Sequence, residues 1–256
     1  MKKKKFKLII WPVIYMVLIT CVCISAAMVF HSYYYTAIYV SGSSMEPTLS
    51  GSTNDMVDYG IIDTHNYAID HVIHNKERFK IITCHYPFTN GGTGDYEGGY
   101  VHGGTNVVST NASYKIKRIY AFPGESFKFT EIRDEHNSLT GINFYVQTGF
   151  ATSWESVTPE IINFERKFDN VRTTYTYEHN TPLGEDEFWV MGDNYNVSFD
   201  SYYKKLPIYR DNIVGILIAI EGRCKIQTKT TYSEDDGTHI SATCTNRQRY
   251  IWPRYF

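Results

Sequence analysis

The chain has 256 residues, of which 43% are hydrophobic and 16% aromatic, enough to form a sizeable buried core. Five of its 25 basic residues are lysines within residues 1–7, so the remaining chain carries 20 basic and 27 acidic side chains. This mildly acidic body lacks the basic patch on which nucleic-acid binding depends, and no nucleic-acid partner is predicted.

The N-terminal region predicts a membrane anchor. A lysine-rich cytoplasmic segment, residues 1–7, precedes residues 8–30, a run without charged side chains that is long enough to cross the lipid bilayer as a helix. The lysines favour an orientation with the rest of the chain outside the cytoplasm. The alternative is a cleaved secretory signal with its small-residue site at residues 25–27. The anchor hypothesis predicts a single-pass protein of the cell membrane, in contact with lipid.

A serine-rich turn follows the predicted anchor. Ser44 lies in residues 41–49 (SGSSMEPTL), where small residues and a proline leave its hydroxyl accessible and the backbone restrained. Such accessibility suits a nucleophile, although turns of this composition are common without any chemistry. The turn alone is therefore weak evidence of catalysis.

Strand-like segments follow at residues 79–87, 114–120, 188–191 and 213–220, and the 22 tyrosines also favour β-structure. Seven glycines within residues 90–106 predict a surface loop. The polar, aromatic residues 126–187 predict an inserted β-rich subdomain. The three histidines at 65, 71 and 74 have no third ordered ligand nearby, so surface positions are expected and no metal site is predicted.

Two cysteines near the C-terminus have a symmetric spacing. Cys224 and Cys244 are equidistant from position 234, and residues 235–237 (DDG) supply a turn that would bring them together in a hairpin. A disulfide is permitted outside the membrane, and two free thiols are an equal alternative. Cys84 is expected in a strand core.

Lys117 is a candidate general base. The chain contains neither GxSxG nor HExxH, and the SxxK match at residues 201–204 lacks its companion motifs. A serine–histidine–aspartate triad stays open, but no histidine has a distinctive context, which leaves serine with lysine. A lysine amine acts as a base near neutral pH only if burial lowers its pKa from about 10.4. Ile116 and Ile119 allow such a site, with Arg118 pointing away; a surface lysine on an edge strand is the plainer alternative.

Three segments together resemble the bacterial type I signal peptidases. They are residues 44–49 (SMEPTL), residues 117–118 (KR) with 123–124 (PG), and residues 192–194 (GDN) followed by Ser198 and residues 200–201 (DS). They occur in the order of that family, after a lysine-flanked anchor. The resemblance implies a membrane-anchored serine endopeptidase that removes signal peptides from exported preproteins, without a cofactor.

The resemblance also implies roles for individual residues. Ser44 would be the nucleophile and Lys117 the general base, with Ser198 and Asp200 orienting the base. The Ser44 N–H would hold the oxyanion, with a backbone contribution from near Gly42. The residues expected to line shallow pockets for small substrate side chains are Val40, Met45, Leu49 and Ile116. The substrate backbone would add as a strand beside the Lys117 strand.

The implied fold is mainly β, with an N-terminal transmembrane helix and an antiparallel β catalytic core on the extracytoplasmic side. The core would be formed by residues 31–125 and 188–256 around the inserted cap at 126–187. An alternative function is a non-hydrolytic, signal peptidase-like assembly or chaperone factor for surface proteins. Retention of both Ser44 and Lys117 argues against it.

The chain departs from the family pattern at three positions. Ala121, Glu125 and Tyr202 stand where the family has glycine, usually aspartate, and usually arginine. That arginine is a structural partner of the aspartates, so its replacement leaves the roles of Asp193 and Asp200 open.

Overall fold

The computed structural model describes residues 2–51, 56–85, 114–137, 139–149, 151, 153–158, 172–195, 197–233 and 237–256. The predicted glycine-rich loop at 90–106 and most of the predicted turn at 235–237 lie outside these residues. The chain divides into two compact units, Met1–Thr36 and Ala37–Phe256.

The first unit is formed by one helix, α1 (Lys2–Tyr34). Its segment Trp11–Val29 has a mean hydropathy of 2.3 and is, in the part of the chain described, the one helix long and apolar enough to cross a membrane. Helical structure extends beyond the predicted range 8–30 at both ends. Lysine is a good helix former, so the N-terminal lysines continue the helix rather than ending it.

Beyond α1 the chain is mostly strands. In chain order the elements are β1 (Tyr35–Tyr39), β2 (Met56–Asp63), α2 (Asn66–His74), β3 (Ile81–His85), β4 (Tyr114–Ala121), β5 (Glu125–Arg133), β6 (Leu139–Thr148), β7 (Glu155–Ser156), β8 (Arg172–His179), β9 (Glu187–Met191), α3 (Ser201–Lys204), β10 (Ile208–Tyr209), a 3-10 turn (Arg210–Asn212), β11 (Ile213–Ser233) and β12 (Gly237–Tyr255). They confirm the mainly β fold class.

The strands form two antiparallel sheets. The larger has the order β1-β2-β11-β3-β4-β9-β10, with β12 paired to β11, and the smaller has the order β7-β6-β5-β8. The strands of the smaller sheet lie between Glu125 and His179, so they begin one residue before the range 126–187 predicted to form an inserted cap. The division into cap and core stays a prediction.

An aromatic core connects the two sheets. Phe127 of β5 packs against Trp189 of β9, with ring centroids 4.6 Å apart, and Phe144 of β6 packs against Tyr120 of β4 at 5.2 Å. All four side chains are fully buried. Large aromatic groups contribute most of the burial in such a core, so these contacts hold the smaller sheet beside β4 and β9.

The larger sheet has a separate apolar core on the face that carries Cys84 and Ile119. Cys84 is fully buried in β3, which confirms its predicted place in a strand core. Ile69 and Val72 of α2 cover this face. The sequence analysis missed α2, although this spacing of three residues places both side chains on one side of a helix.

The strands β11 and β12 form a long hairpin that confirms the predicted pairing. Their register runs from Ala219 opposite Tyr255 to Ser233 opposite Gly237. Cys224 and Cys244 are joined by a disulfide, with their Cα atoms 5.6 Å apart. The sequence left open a disulfide or two free thiols, and the structure has the disulfide.

Replacing both cysteines, Cys224→Ser with Cys244→Ser, is expected to lower the free energy of unfolding. The bond joins residues separated by 20 positions. Closing a loop of that size lowers the entropy of the unfolded chain, which adds about 3 kcal/mol to the free energy of unfolding. Denaturant unfolding of the full chain in detergent measures the difference. Reductant should destabilise the wild type and leave the double variant unchanged; a wild type insensitive to reductant would contradict this expectation.

Candidate active site

Ser44 lies in a turn between β1 and β2 that is closed by two internal hydrogen bonds. Glu46 N–H donates to Ser43 O at 3.1 Å, and Leu49 N–H donates to Met45 O at 2.9 Å. Ser44 is partly exposed, whereas Met45 and Leu49 are buried. Among the described residues, no backbone hydrogen bond engages the Ser44 N–H. This amide is therefore available to a ligand.

Lys117 lies on β4 in the interior of the larger sheet. The strand β3 pairs on one side, with Ile82 opposite Lys117, and β9 pairs on the other side from Arg118 onward. Lys117 is 1% exposed, so the alternative of a surface lysine on an edge strand is wrong. Of the residues described, none pairs with the part of β4 before Arg118 on the β9 side.

Ser198 links the Lys117 amine to the Asp200 carboxylate. Lys117 Nζ donates to Ser198 Oγ at 2.9 Å, and Ser198 Oγ donates to Asp200 Oδ2. Asp200 Oδ2 also accepts the Gly192 N–H at 2.7 Å, while its Oδ1 caps α3 by accepting the Tyr202 N–H at 3.0 Å. Backbone donors thus fix the carboxylate, which in turn fixes the hydroxyl that meets the amine.

Gly192 lies between the serine turn and this network. A Cβ at position 192 would collide with both the Ser44 carbonyl oxygen and Ser198 Oγ. The neighbouring Asn194 N–H donates to Ser44 O at 3.0 Å. Within the described residues, Ser44 and Lys117 share no direct hydrogen bond. Because Gly192 has no side chain, the Ser44 backbone and Ser198, which binds Lys117, can both approach it closely.

Burial determines the protonation of this site. Desolvation lowers the pKa of the Lys117 amine below 10.5, against the attraction of Asp200, which acts to raise it. Desolvation also raises the pKa of the Asp200 carboxyl above 3.8, and burial raises the pKa of the Cys84 thiol to about 12. The thiol therefore adds no charge beside the amine, and the environment favours neutral lysine.

Arg118 points to the opposite face of the sheet from Lys117, as predicted. Its Nε donates to both carboxylate oxygens of Asp193, at 2.8 and 3.0 Å. Its terminal nitrogens donate to Phe79 O at 2.8 Å and to Thr48 Oγ1 at 3.4 Å. Asp193 therefore has an arginine partner from within the Lys117 strand, even though Tyr202 replaces the arginine of the family pattern.

Tyr202 joins a different set of contacts. Its hydroxyl donates to Glu131, which is paired with Arg133 at 2.7 Å. Lys205 Nζ lies 4.1 Å from the centroid of the Tyr202 ring, a cation–π contact. These contacts fasten α3 to the smaller sheet.

Gly42 has a φ of +87°, in the region that favours glycine. Its N–H donates to Gly51 O at 3.2 Å and so is engaged within the turn. An added Cβ would meet nothing within 4 Å, but its backbone would be strained. Glycine thus suits the conformation, and among the described residues the Ser44 N–H, unlike that of Gly42, has no backbone acceptor.

The four residues predicted to contact substrate lie in one apolar cluster. Val40, Met45 and Leu49 are no more than 2% exposed, and Ile116 of β4 is partly buried against them. The structure brings these residues together beside the serine turn. Their contact with substrate stays a prediction.

Residues 11–220 match the family model described as signal peptidase, peptidase S26. The chain belongs to the signal peptidase family. The matched range contains the Ser44 turn, Lys117 and the segment from Gly192 to Asp200, and this membership confirms the resemblance. No curated protein matches the chain. Residues 221–256, which include β12, lie beyond the matched range.

The sequence analysis missed Asp58, whose backbone and side chain form hydrogen bonds on both sides of the serine turn. Val40 N–H donates to Asp58 O at 2.8 Å, and Asp58 N–H donates to Ser50 O at 2.8 Å. The Ser50 N–H returns to Asp58 Oδ2 at 2.9 Å. A carboxylate within the apolar strand at residues 56–63 was the available signal, because a buried charge requires partners.

Gly192→Ala is expected to reduce signal-peptide cleavage about 100-fold, because the added methyl group displaces the Ser44 backbone or Ser198. The family resemblance implies that both residues serve the reaction, and small displacements of reacting groups cost that much. The measurement is kcat/KM of the full chain in detergent on a fluorogenic signal-peptide substrate. Gly141→Ala is the matched control, since its Cβ would meet its nearest atom at an ordinary 3.7 Å. Equal activity of the two variants would show that the close approach at Gly192 is unimportant.

Proposed function

We propose that the chain is a membrane-anchored serine endopeptidase that cleaves N-terminal signal peptides from exported preproteins with a Ser44/Lys117 dyad. Its helix α1 is the single anchor, and the catalytic domain lies on the extracytoplasmic side. The observation that carries the proposal is the burial of Lys117, 1% exposed and with a pKa below 10.5, in a network that touches the Ser44 turn. A non-hydrolytic assembly factor has no need of such a lysine.

In the acylation step, neutral Lys117 accepts the proton of the Ser44 hydroxyl, and Ser44 Oγ bonds to the scissile carbonyl carbon. The resulting ammonium donates that proton to the leaving amine nitrogen as the peptide bond breaks. The free Ser44 N–H is a donor for the developing oxyanion. A backbone contribution from Gly42 requires release of its bond to Gly51.

In the deacylation step, Lys117 accepts a proton from water while the water oxygen attacks the acyl ester. Return of the proton to Ser44 releases the signal peptide and restores the enzyme. Ser198 and Asp200 act by orienting the amine through both steps. Catalytic hydrogen bonds often form only with substrate bound, so the Lys117 amine is free to exchange Ser198 for Ser44 as its partner.

Substrate binding is proposed along the open side of β4. The part of β4 before Arg118 has a free backbone edge toward β9 among the described residues, and an extended peptide can add there as a strand. Ile116 lies on this stretch, in the cluster with Val40, Met45 and Leu49. Because three of these are already fully packed, we expect the substrate pockets beside them to be shallow and to suit small side chains.

Ser44→Ala and Lys117→Met are each expected to reduce cleavage of a preprotein to the uncatalysed level, because each removes one partner of the dyad. The matched controls are Ser43→Ala, the adjacent serine, and Lys115→Met, which lies on the same face of the same strand. Gel-based cleavage by the full chain in detergent, with circular dichroism as a check of folding, measures the effect. Activity of Ser44→Ala close to that of the control would remove the proposed nucleophile.

The pH dependence follows from the lowered pKa of Lys117. Since the neutral amine is the base, kcat/KM should rise with pH, and the midpoint of the rise should lie below pH 10.5, the pKa of an ordinary lysine. Asp200→Asn removes the negative charge that stabilises the ammonium, so the rising limb should move to lower pH. Asparagine still accepts the capping hydrogen bonds of α3 through Oδ1. Its Nδ2 cannot accept the Gly192 N–H, so the position of the limb is compared separately from the height of the plateau. The exposed Asp211→Asn is the control, and an unmoved limb in Asp200→Asn would refute the electrostatic coupling.

A further inference from the structure

The Asp58 carboxylate lies at the centre of three contacts from the C-terminal hairpin. It is fully buried. Arg254 donates to Asp58 Oδ2 at 2.6 Å, Arg223 donates to Oδ1 at 3.3 Å, and the Tyr250 hydroxyl donates to Oδ1 at 3.2 Å. All three donors lie beyond residue 220, where the family match ends.

The same residue fixes the backbone on both sides of the Ser44 turn. Asp58 O accepts from Val40, which precedes the turn, and Asp58 exchanges two hydrogen bonds with Ser50, which follows it. One of the Ser50 bonds ends on the carboxylate oxygen that Arg254 also contacts. Any movement of that carboxylate is therefore transmitted to the end of the turn.

Arg254 also reaches the turn directly. One terminal nitrogen donates to Asp58 and the other donates to the carbonyl oxygen of Thr48 at 3.1 Å. The planar guanidinium holds these two acceptors at a fixed separation, which a single ammonium cannot do. Phe256 completes the attachment, since its N–H donates to Ile218 O at 3.0 Å and its side chain packs in the cluster that contains Met45.

We propose that the C-terminal segment Arg249–Phe256 belongs to the active site, with Arg254 as a positioning residue that holds the Ser44 turn through Asp58 and Thr48. The inference rests on the proposed role of Ser44 as nucleophile. Asp58 is bonded to the backbone at both ends of the turn, so the placement of the turn depends on this attachment. The segment contributes to catalysis by fixing where the Ser44 hydroxyl stands, without touching the substrate.

The test compares Arg254→Met, Arg254→Lys and Arg249→Met in the full chain in detergent. Arg249 is an exposed arginine of the same segment and serves as the control. For Arg254→Met we expect kcat to fall about tenfold with KM within twofold, because a misplaced nucleophile slows the chemistry more than it weakens binding. Arg254→Lys should recover the unfolding midpoint through the ion pair with Asp58, but not kcat, since it cannot bridge both acceptors.

If the role of Arg254 is purely structural, Arg254→Lys should recover kcat together with stability, and that result would overturn the inference. A wild-type kcat in Arg254→Met would overturn it as well. A second readout does not depend on cleavage. Hydrogen exchange of the Ser50 amide should be faster in Arg254→Met than in Arg249→Met, and equal exchange would also overturn the inference. If the wild type is inactive but Ser50 exchange is still faster in Arg254→Met, the proposed function is rejected and the attachment of the turn by Arg254 stands.

Discussion

The desolvation of the Lys117 amine is the constraint on which the arrangement of the site depends. A lysine placed at the surface stays charged and cannot accept a proton near neutral pH. A lysine paired directly with a carboxylate is also held in its charged form. Here the Ser198 hydroxyl separates the amine from Asp200. The carboxylate is close enough to orient the amine through that hydroxyl, while burial keeps the pKa lowered.

Two adjacent basic residues of β4 have opposite environments because a strand directs successive side chains to opposite faces. Lys117 meets a neutral hydroxyl on one face, whereas Arg118 forms a buried ion pair with Asp193 on the other. Arginine keeps its charge at any accessible pH and its fork suits a carboxylate. The segment after β9 therefore reaches both faces, with Asp193 on one and Ser198 on the other, and connects Lys117, the proposed base, and the serine turn to one strand.

The local sequence was sufficient for some of these features and insufficient for others. Strand composition and the symmetric cysteine spacing led to the β class and the hairpin, and alternation along β4 led to the opposed Lys117 and Arg118. The burial of Lys117 was not predictable from neighbouring residues, because it results from β3, β9 and Ser198, which are distant in sequence. The strand around Asp58 indicated a buried carboxylate, but its partners Arg223 and Arg254 were not predictable, because they lie 165 and 196 residues away.

The serine turn shows why such distant partners are needed. Its small residues make the hydroxyl accessible, while Met45 and Leu49 supply its buried side-chain area. Among the described residues, two backbone bonds within residues 43–49 and one from Gly42 to Gly51 close the turn. The exposed part of such a turn has fewer packing contacts than a strand and is expected to open locally at lower cost. The proposed role of Ser44 as nucleophile requires its hydroxyl to be placed within a fraction of an ångström. Gly192 and Asn194 restrain the turn from one segment and Asp58 from another, so rigidity comes from the surroundings while accessibility comes from the turn itself.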